Sequence, residues 1–313
     1  MRVMLAVMMT AMIILPIQAS AATGQFWDHA RYDSDGVQVD GGTIGFTTQW
    51  NLSTDNNTEK THSYHVDDMP TLVEIYTATW CTNCVTTQNI MNEAIGDSDV
   101  ELIHYHRHWF EPRDPFGSNS TEERWTTTYG HAVTLNGGAP RLAPTKVVDG
   151  ERMHYGSRSN SDSLMDDYTA SLSMEETVSL SGNLSLNVSQ AANTMYFEWD
   201  LSSLSIYTEA EYSLDPWILL IEEEAYFPDG SNGLEIYEHI LLEAIPLEPS
   251  GDGISSSELI LPQLWDGDDL KVAILVDWIV EKSPSQSPLP APGIVLLLSS
   301  LVAMAYLRQP RLP

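Results

Sequence analysis

Cys81 and Cys84 are the only cysteines in the chain, and they follow closely on the apolar run Leu72–Thr77. A bridge between them closes almost no loop, so its chain-entropy stabilisation is small. A secreted chain using disulfides as staples would spread them to close long loops. The pair therefore suits a bond that is made and remade. Its surroundings read as strand, helix, strand. Leu72–Thr77 has the pattern of a buried strand, Cys84–Ile95 carries helical spacing with Ile90, Met91 and Ala94 on one side, and Val100–Trp109 reads as a second strand. That is a βαβ unit with a right-handed crossover. Glu111–Pro140 follows as a long polar insertion with helical content near Thr121–Tyr129. Thr145–Val148 is a third strand, closed by the turn Asp149-Gly150.

From about Thr177 the texture changes to short alternating segments: Leu180, Leu184 and Leu186 among serines, then Met195–Trp199, Trp217–Ile221, Ile236–Leu242 and Val272–Val280. Short strands separated by turn clusters predict an antiparallel sandwich. Charge narrows the partners. Lys and Arg number 14 against 44 Asp and Glu, a formal net charge of −30. Such a surface repels nucleic acid and anionic lipid heads, which excludes nucleic-acid binding.

The termini carry targeting signals. Arg2, the apolar Val3–Ile17 and the small-x-small site Ala19-Ser20-Ala21 predict a signal peptide. A Ser/Pro-rich linker leads into Ile294–Leu307, an apolar run trailed by Arg308 and Arg311. At about 1.5 Å per residue it spans roughly 20 Å, short of a comfortable bilayer crossing. The order Pro-Gly, apolar helix, basic tail resembles the sorting signals of archaeosortase- and exosortase-type enzymes. Either outcome, single-pass anchor or processed terminus, leaves the body outside the cytoplasm at the membrane surface. The expected organisation is signal peptide 1–21, N-terminal extension 22–66, α/β domain 67–175, β-sandwich 176–282, linker 283–293, apolar segment 294–307 and basic tail 308–313.

A cysteine at the N-terminus of a helix meets unpaired backbone amides and the positive end of the helix dipole, which favour the thiolate. Cys81 is therefore the candidate nucleophile. Cys84, a turn later and facing inward, is the candidate resolving thiol. With no second cysteine pair, a four-thiolate zinc site within one chain is excluded.

The residues around the pair resemble the thioredoxin superfamily. Trp80 precedes Cys81 as in thioredoxins, and Ala143-Pro144-Thr145 opens a strand where that family places a cis-proline beside its disulfide. More narrowly, IHYHRHWFEPRDPFGSNSTEER followed by APTKVVDG resembles a family of secreted thioredoxin-like proteins of uncharacterised activity. The resemblance covers about residues 70–155. It implies an α/β thioredoxin-like fold ahead of the all-β domain, with Trp80, Thr82, Asn83, Ala143 and Pro144 shaping a groove for the partner's peptide. It implies thiol–disulfide exchange with exported proteins, no bound cofactor, and an external electron partner. Thr82-Asn83 is neither the Gly-Pro of reducing thioredoxins nor the Gly-His of disulfide isomerases, so the redox poise stays open. Many thioredoxins place a buried acid six residues before the first cysteine. Glu74 lies seven before, and it keeps that proton-acceptor role only if a bulge absorbs the extra residue.

His104, His106 and His108 alternate along the predicted strand and share one face. With Cys81 and Cys84, His106 makes a possible copper donor set, and a copper-handling protein is the first alternative function. The bland reading is that the histidines hydrogen-bond beneath the insertion. A non-enzymatic surface binding module with a static disulfide is the second alternative. A peroxidase ranks last, lacking its usual active-site signature. Asp114 is expected to cap a helix.

Overall fold

The computed structural model describes residues 26–51, 59–111, 113–174, 180–248, 254–267 and 269–281. The predicted signal peptide, linker, apolar segment and basic tail lie outside them. No helix among the described residues is long and apolar enough to cross a membrane.

Along the chain the elements are β1 (Asp28–His29), β2 (Gly41–Asn51), β3 (Glu59–His65), β4 (Thr71–Thr77), α1 (Thr82–Ile95), β5 (Val100–His106), α2 (Asn119–Trp125), α3 (His131–Leu135), β6 (Thr145–Val148), β7 (Arg152–Tyr155) and α4 (Leu164–Leu172). The second half adds β8 (Leu180–Ser181), β9 (Asn183–Ala191), β10 (Thr194–Asp200), β11 (Ser205–Ile206), β12 (Tyr212–Tyr226), β13 (Ile236–Pro246), β14 (Ile254–Ile260) and β15 (Asp269–Val280). Among the described residues nine strands form one mixed sheet, ordered β1-β7-β6-β4-β5-β13-β12-β15-β2. A second sheet runs β14-β10-β9-β3.

Local chemistry explains the elements that matter for the site. β4 is buried on both faces at Leu72–Tyr76, as a central strand covered on both sides should be. It pairs parallel with β5, Ile75 opposite His104 and Thr77 opposite His106, and antiparallel with β6. Helix α1 starts on Cys81, whose extended backbone (φ −86°, ψ 94°) and sulfur cap it, and stops at Gly96, which takes the left-handed φ of 54° that glycine adopts without strain. Its inward residues Ile90, Met91, Ala94 and Ile95 pack on Val73, Ile75 and Val148 together with Tyr168 of α4. Burying a side chain such as Met91 contributes about 1.5–3 kcal/mol. Ser118 and Thr121 form a reciprocal capping box that starts α2.

The sandwich differs from the expectation of a separate domain that begins after the α/β part. Strands β12, β13 and β15 continue the α/β sheet, joined to it by the parallel bridge between Ile240 and His104. The segment expected to be an extension supplies β1 and β2, the two edge strands of the long sheet, and β3, an edge strand of the second. β2 lies against β15 so closely that a Cβ on Gly45 would stand 2.2 Å from the Ile274 carbonyl oxygen, which is why glycine occupies that strand position. The reason is register: Ile44, Phe46 and Trp50 present an apolar face that meets Leu184, Leu186, Val188, Phe197 and Trp199 of the second sheet. The expected boundary near residue 175 falls at 175–179, outside the described residues.

One face of the long sheet thus carries α1 and α4 at one end and the second sheet at the other. The opposite face carries α2, α3 and the helical turn Thr126–Gly130 between them, whose Trp125, Tyr129, Ala132 and Val133 pack across both parts, from Leu72 and Tyr105 to Leu219 and Leu241.

Candidate functional site

Cys81 and Cys84 form a disulfide, with Cα atoms 5.2 Å apart. The Cys84 backbone N–H donates to Cys81 Sγ at 3.1 Å, so an amide of the first turn of α1 points at the candidate nucleophile. Both cysteines are buried with Ala78, and Trp80 and Ala143 pack against them. Thr82 and Asn83 face solvent, Pro144 is buried, and the Ala143–Pro144 peptide is cis. The residues predicted to shape the groove therefore do converge on the disulfide: Trp80 and Ala143 as its packing wall, Thr82 and Asn83 as its exposed rim.

Loops from three directions hold this arrangement. Glu122 of α2 is buried and accepts from Tyr76 Oη, from Arg141 Nε at 2.6 Å and from the Trp109 amide at 3.1 Å. Arg141 also donates to the Trp109 carbonyl at 2.6 Å, tying the stretch before Pro144 to the loop after β5. Burial works to raise the Glu122 carboxyl, but Arg141, Tyr76 and the His108 amide outweigh it and hold it below its usual range. The third clamp comes from the β12–β13 hairpin. Ser231 and Asn232 donate their amides to the Thr79 carbonyl, at 3.0 and 3.1 Å, and Tyr237 Oη donates to the same oxygen at 3.2 Å. Thr79 lies just before Trp80 and Cys81, so the sandwich half grips the loop that presents the disulfide.

Beside α1, the sheet face over β5 and β13 is covered neither by that helix nor by the second sheet. A cleft of about 280 Å³ opens there, lined by Cys84, Gln88, Asn92, His104, His106 and Tyr237, among others. Cys81 does not line it. His106 is buried, with its ring edge-on to Phe116 and Tyr237 and Nδ1 3.0–3.1 Å from both carboxylate oxygens of Asp114. Asp114 in turn accepts the Thr79 amide at 2.8 Å and the Phe116 amide at 3.3 Å. The expected helix-capping role of Asp114 is corrected: Ser118 caps α2, and Asp114 joins His106 to the cysteine loop.

Two further expectations are corrected. Glu74 does not serve the cysteines. Val73, Ile75 and Thr77 face α1, so strand parity turns Glu74 to the opposite side, where it accepts from Tyr105, Tyr129 and Arg124. The three alternating histidines do not share one face, because β5 ends at His106 and His108 lies in the following loop with its amide on Glu122. His104 does lie near His106, but burial and the neighbouring His239 push its imidazole well below the usual value. Among the described residues, with Cys81 and Cys84 joined to each other, no group of three His, Cys, Asp or Glu side chains is arranged to hold a metal ion.

Sequence reasoning missed Lys146, Asn232 and Tyr237. Lys146 on β6 is fully buried beneath α1, with Nζ donating to Thr87 Oγ1 at 2.8 Å and 5.8 Å from the centre of the Tyr168 ring. Burial pushes its ammonium down to about 7. The visible signal was a lysine inside the otherwise apolar Thr145–Val148 strand. Asn232 and Tyr237 left no local signal.

The chain matches no protein-family profile and no curated protein sequence. Solved structures similar to it include protein AGR_C_4864 from Agrobacterium tumefaciens, at 15% identity and a TM-score of 0.37, covering 61% of this chain and 78% of that one. HBP35 of Porphyromonas gingivalis is similar at 15% identity and a TM-score of 0.41, covering 66% of this chain and 68% of that one.

Proposed function

We propose that the protein is an exported thiol–disulfide oxidoreductase held at the outer face of the membrane by its C-terminal segment. The observation that carries this reading is the Cys81–Cys84 disulfide on the first turn of α1, with the Cys84 amide on Cys81 Sγ. A helix N-terminus stabilises the thiolate of the first cysteine, and thiolate is the attacking species. The strand order β5-β4-β6-β7, with α1 and α4 on one face, supports a thioredoxin-like reading of this half. Trp80 and Ala143 against the disulfide support a peptide groove on the Cys81 side.

In the reducing direction Cys81 thiolate attacks a partner's disulfide, forming a mixed disulfide and releasing one partner thiolate. Cys84 then loses its proton and attacks Cys81 Sγ. The second partner thiolate leaves, and the Cys81–Cys84 bond holds the two electrons' worth of oxidation. The reverse sequence oxidises a partner dithiol. An external thiol or disulfide partner resets the enzyme, and no bound cofactor takes part.

The test is a redox titration of the full chain in glutathione buffers, with alkylation mass as readout. A reversible midpoint between about −270 and −120 mV, the range of known exchange proteins, is expected. Cys81→Ser is expected to abolish turnover, and Cys84→Ser to accumulate mixed disulfides. A disulfide that never reduces in these buffers sinks the proposal and leaves a static bridge.

A further inference from the structure

We infer that His106, held by Asp114, is the group that takes the proton from Cys84 when the resolving thiol attacks, across the cleft that the two residues share. The inference rests on the exchange reading above and assigns a residue to its second step.

The argument begins with the two cysteines' different surroundings. Both are nearly inaccessible, but Cys84 lines the cleft and Cys81 does not. Cys84 must lose its proton before it attacks, and a base in the cleft it lines accepts that proton faster than water does. The titratable groups around that side are few. Glu74 is on the far face of the sheet, committed to two tyrosines and Arg124. Lys146, from β6, donates to Thr87 and does not line the cleft. Glu224 of β12 and Glu238 of β13 are exposed at the cleft rim, and Tyr237 of β13 is bonded to Thr79 and Asn232 with its hydroxyl pushed up to about 12. His104, on the same strand as His106, is desolvated and kept neutral, and its Nε2 is buried without a partner among the described residues.

His106 differs from His104 in having a carboxylate. Asp114 accepts a hydrogen bond from Nδ1–H, which leaves Nε2 as the ring's acceptor. Nε2 has no hydrogen-bond partner among the described residues. Asp114 is itself fixed by the amides of Thr79 and Phe116, so the imidazole is oriented from a residue two positions before Cys81. The step balances: the Cys84 proton moves to His106, the Cys84 thiolate forms the bond to Cys81 Sγ, the bond from Cys81 to the partner sulfur breaks with its electron pair on the leaving thiolate, and His106 returns its proton to the solvent through the cleft.

The experiment uses the reduced full chain and 5,5′-dithiobis(2-nitrobenzoate) in stopped flow from pH 5 to 9. The first thionitrobenzoate released reports Cys81 attack, and the second reports Cys84 resolving the mixed disulfide. His106→Gln is expected to lower the ratio of second-phase to first-phase rate by ~10²-fold at pH 7, the size of a lost general base. It is also expected to change the pH profile of the second phase while leaving that of the first unchanged. Asp114→Asn, which keeps the imidazole but weakens its anchor, is expected to lower the ratio by less. A His106→Gln ratio equal to wild type overturns the inference, as does equal slowing of both phases, which would make His106 a structural prop. A wild-type chain that shows no first phase refutes the exchange reading instead.

Discussion

On the α2 face of β4, Glu74 accepts from Tyr105, Tyr129 and Arg124, Arg124 bridges to Asp277 at 2.7 Å, and Asp277 bridges to Arg31 at 2.7 Å. On the α1 face of the same sheet, Lys146 is equally buried but has one hydroxyl, Thr87, and an aromatic ring for company. Its neighbour His154 bonds Ser171 at 2.7 Å and is pushed down to about 3 by burial, then by Lys146 and Arg152. The first cluster is two acids and two guanidiniums drawn from β4, α2, β15 and the N-terminal segment. Its charges cancel, and it stitches both halves of the molecule together. The second leaves a base without a counter-charge under the helix that carries the cysteines. Buried charge that is fully reciprocated keeps its charged form, whereas burial without a counter-charge favours the neutral form. The sheet thus separates a face whose buried charges are paired from a face that leaves Lys146 without a counter-charge.

Asp277→Asn should break this comparison most sharply. It leaves Arg31 with no carboxylate and Arg124 with Glu74 alone, and removing one partner of a buried pair costs about 3–5 kcal/mol. Burial works to raise the Asp277 carboxyl, but Arg124 and Arg31 outweigh it and hold it well below the usual range. A carboxyl depressed in the folded state stabilises above its unfolded value of about 3.9 and loses that contribution as pH falls through its folded value. Urea midpoints of wild type and Asp277→Asn should therefore differ most above pH 5 and converge as the acid limit is approached. A gap independent of pH would show that the network's charge is not what stabilises it.

Lys146→Met comes next, with the opposite sign. Unfolded, Lys146 keeps its proton up to about pH 10.4. Folded, it keeps it only to about 7. Between these values the unfolded chain binds more protons, so wild-type stability rises with pH across that window. Below pH 7 the cost of the buried ammonium is fully present. Lys146→Met should gain roughly 2–4 kcal/mol at pH 6 after losing the Thr87 bond, and the gain should disappear by about pH 10. A benefit that does not change between pH 6 and 9.5 would reduce Lys146 to a packing residue.

Why one face was readable from the sequence and the other was not follows from where their partners sit in the chain. β4, α1, β5 and β6 were legible because each is a contiguous pattern: an apolar run, a 3.6-residue spacing, a capped start. The cysteine wall of Trp80 and Ala143 was legible through resemblance. Glu74 was not, because one residue of strand parity decides between the helix side and the tyrosine side, and the local sequence is compatible with both. Nor was the shared sheet, since a single bridge between Ile240 and His104 joins strands separated by more than a hundred residues. The Arg31–Asp277 pair spans an even longer stretch of chain. Strand alternation identified a sandwich but could not say that β2 and β3 would complete it.

The remaining tests act on the hairpin that grips the cysteine face. A Cβ on Gly230 would stand 2.0 Å from Tyr237 Oη, so Gly230→Ala must displace either the loop or the ring. Overpacking of this kind costs about 1–3 kcal/mol, read as a lower urea midpoint with an altered rate of alkylation at Cys81.

Tyr237→Phe is the gentler cut, and its small size is itself informative. The hydroxyl's single proton is shared between Asn232 Oδ1 and the Thr79 carbonyl, and neither acceptor depends on it. Thr79 still receives the Ser231 and Asn232 amides, and Asn232 Oδ1 still receives the Leu234 amide at 3.0 Å. No buried acceptor is orphaned, so the loss should be that of an ordinary net hydrogen bond, about 1 kcal/mol or less. The ring keeps its place against His106 and Phe116, so the cleft wall survives. A loss of 3 kcal/mol or more would mean that the phenol, and not the backbone amides, holds the cysteine loop. The face now read as the looser of the two would then be locked as firmly as the network around Asp277.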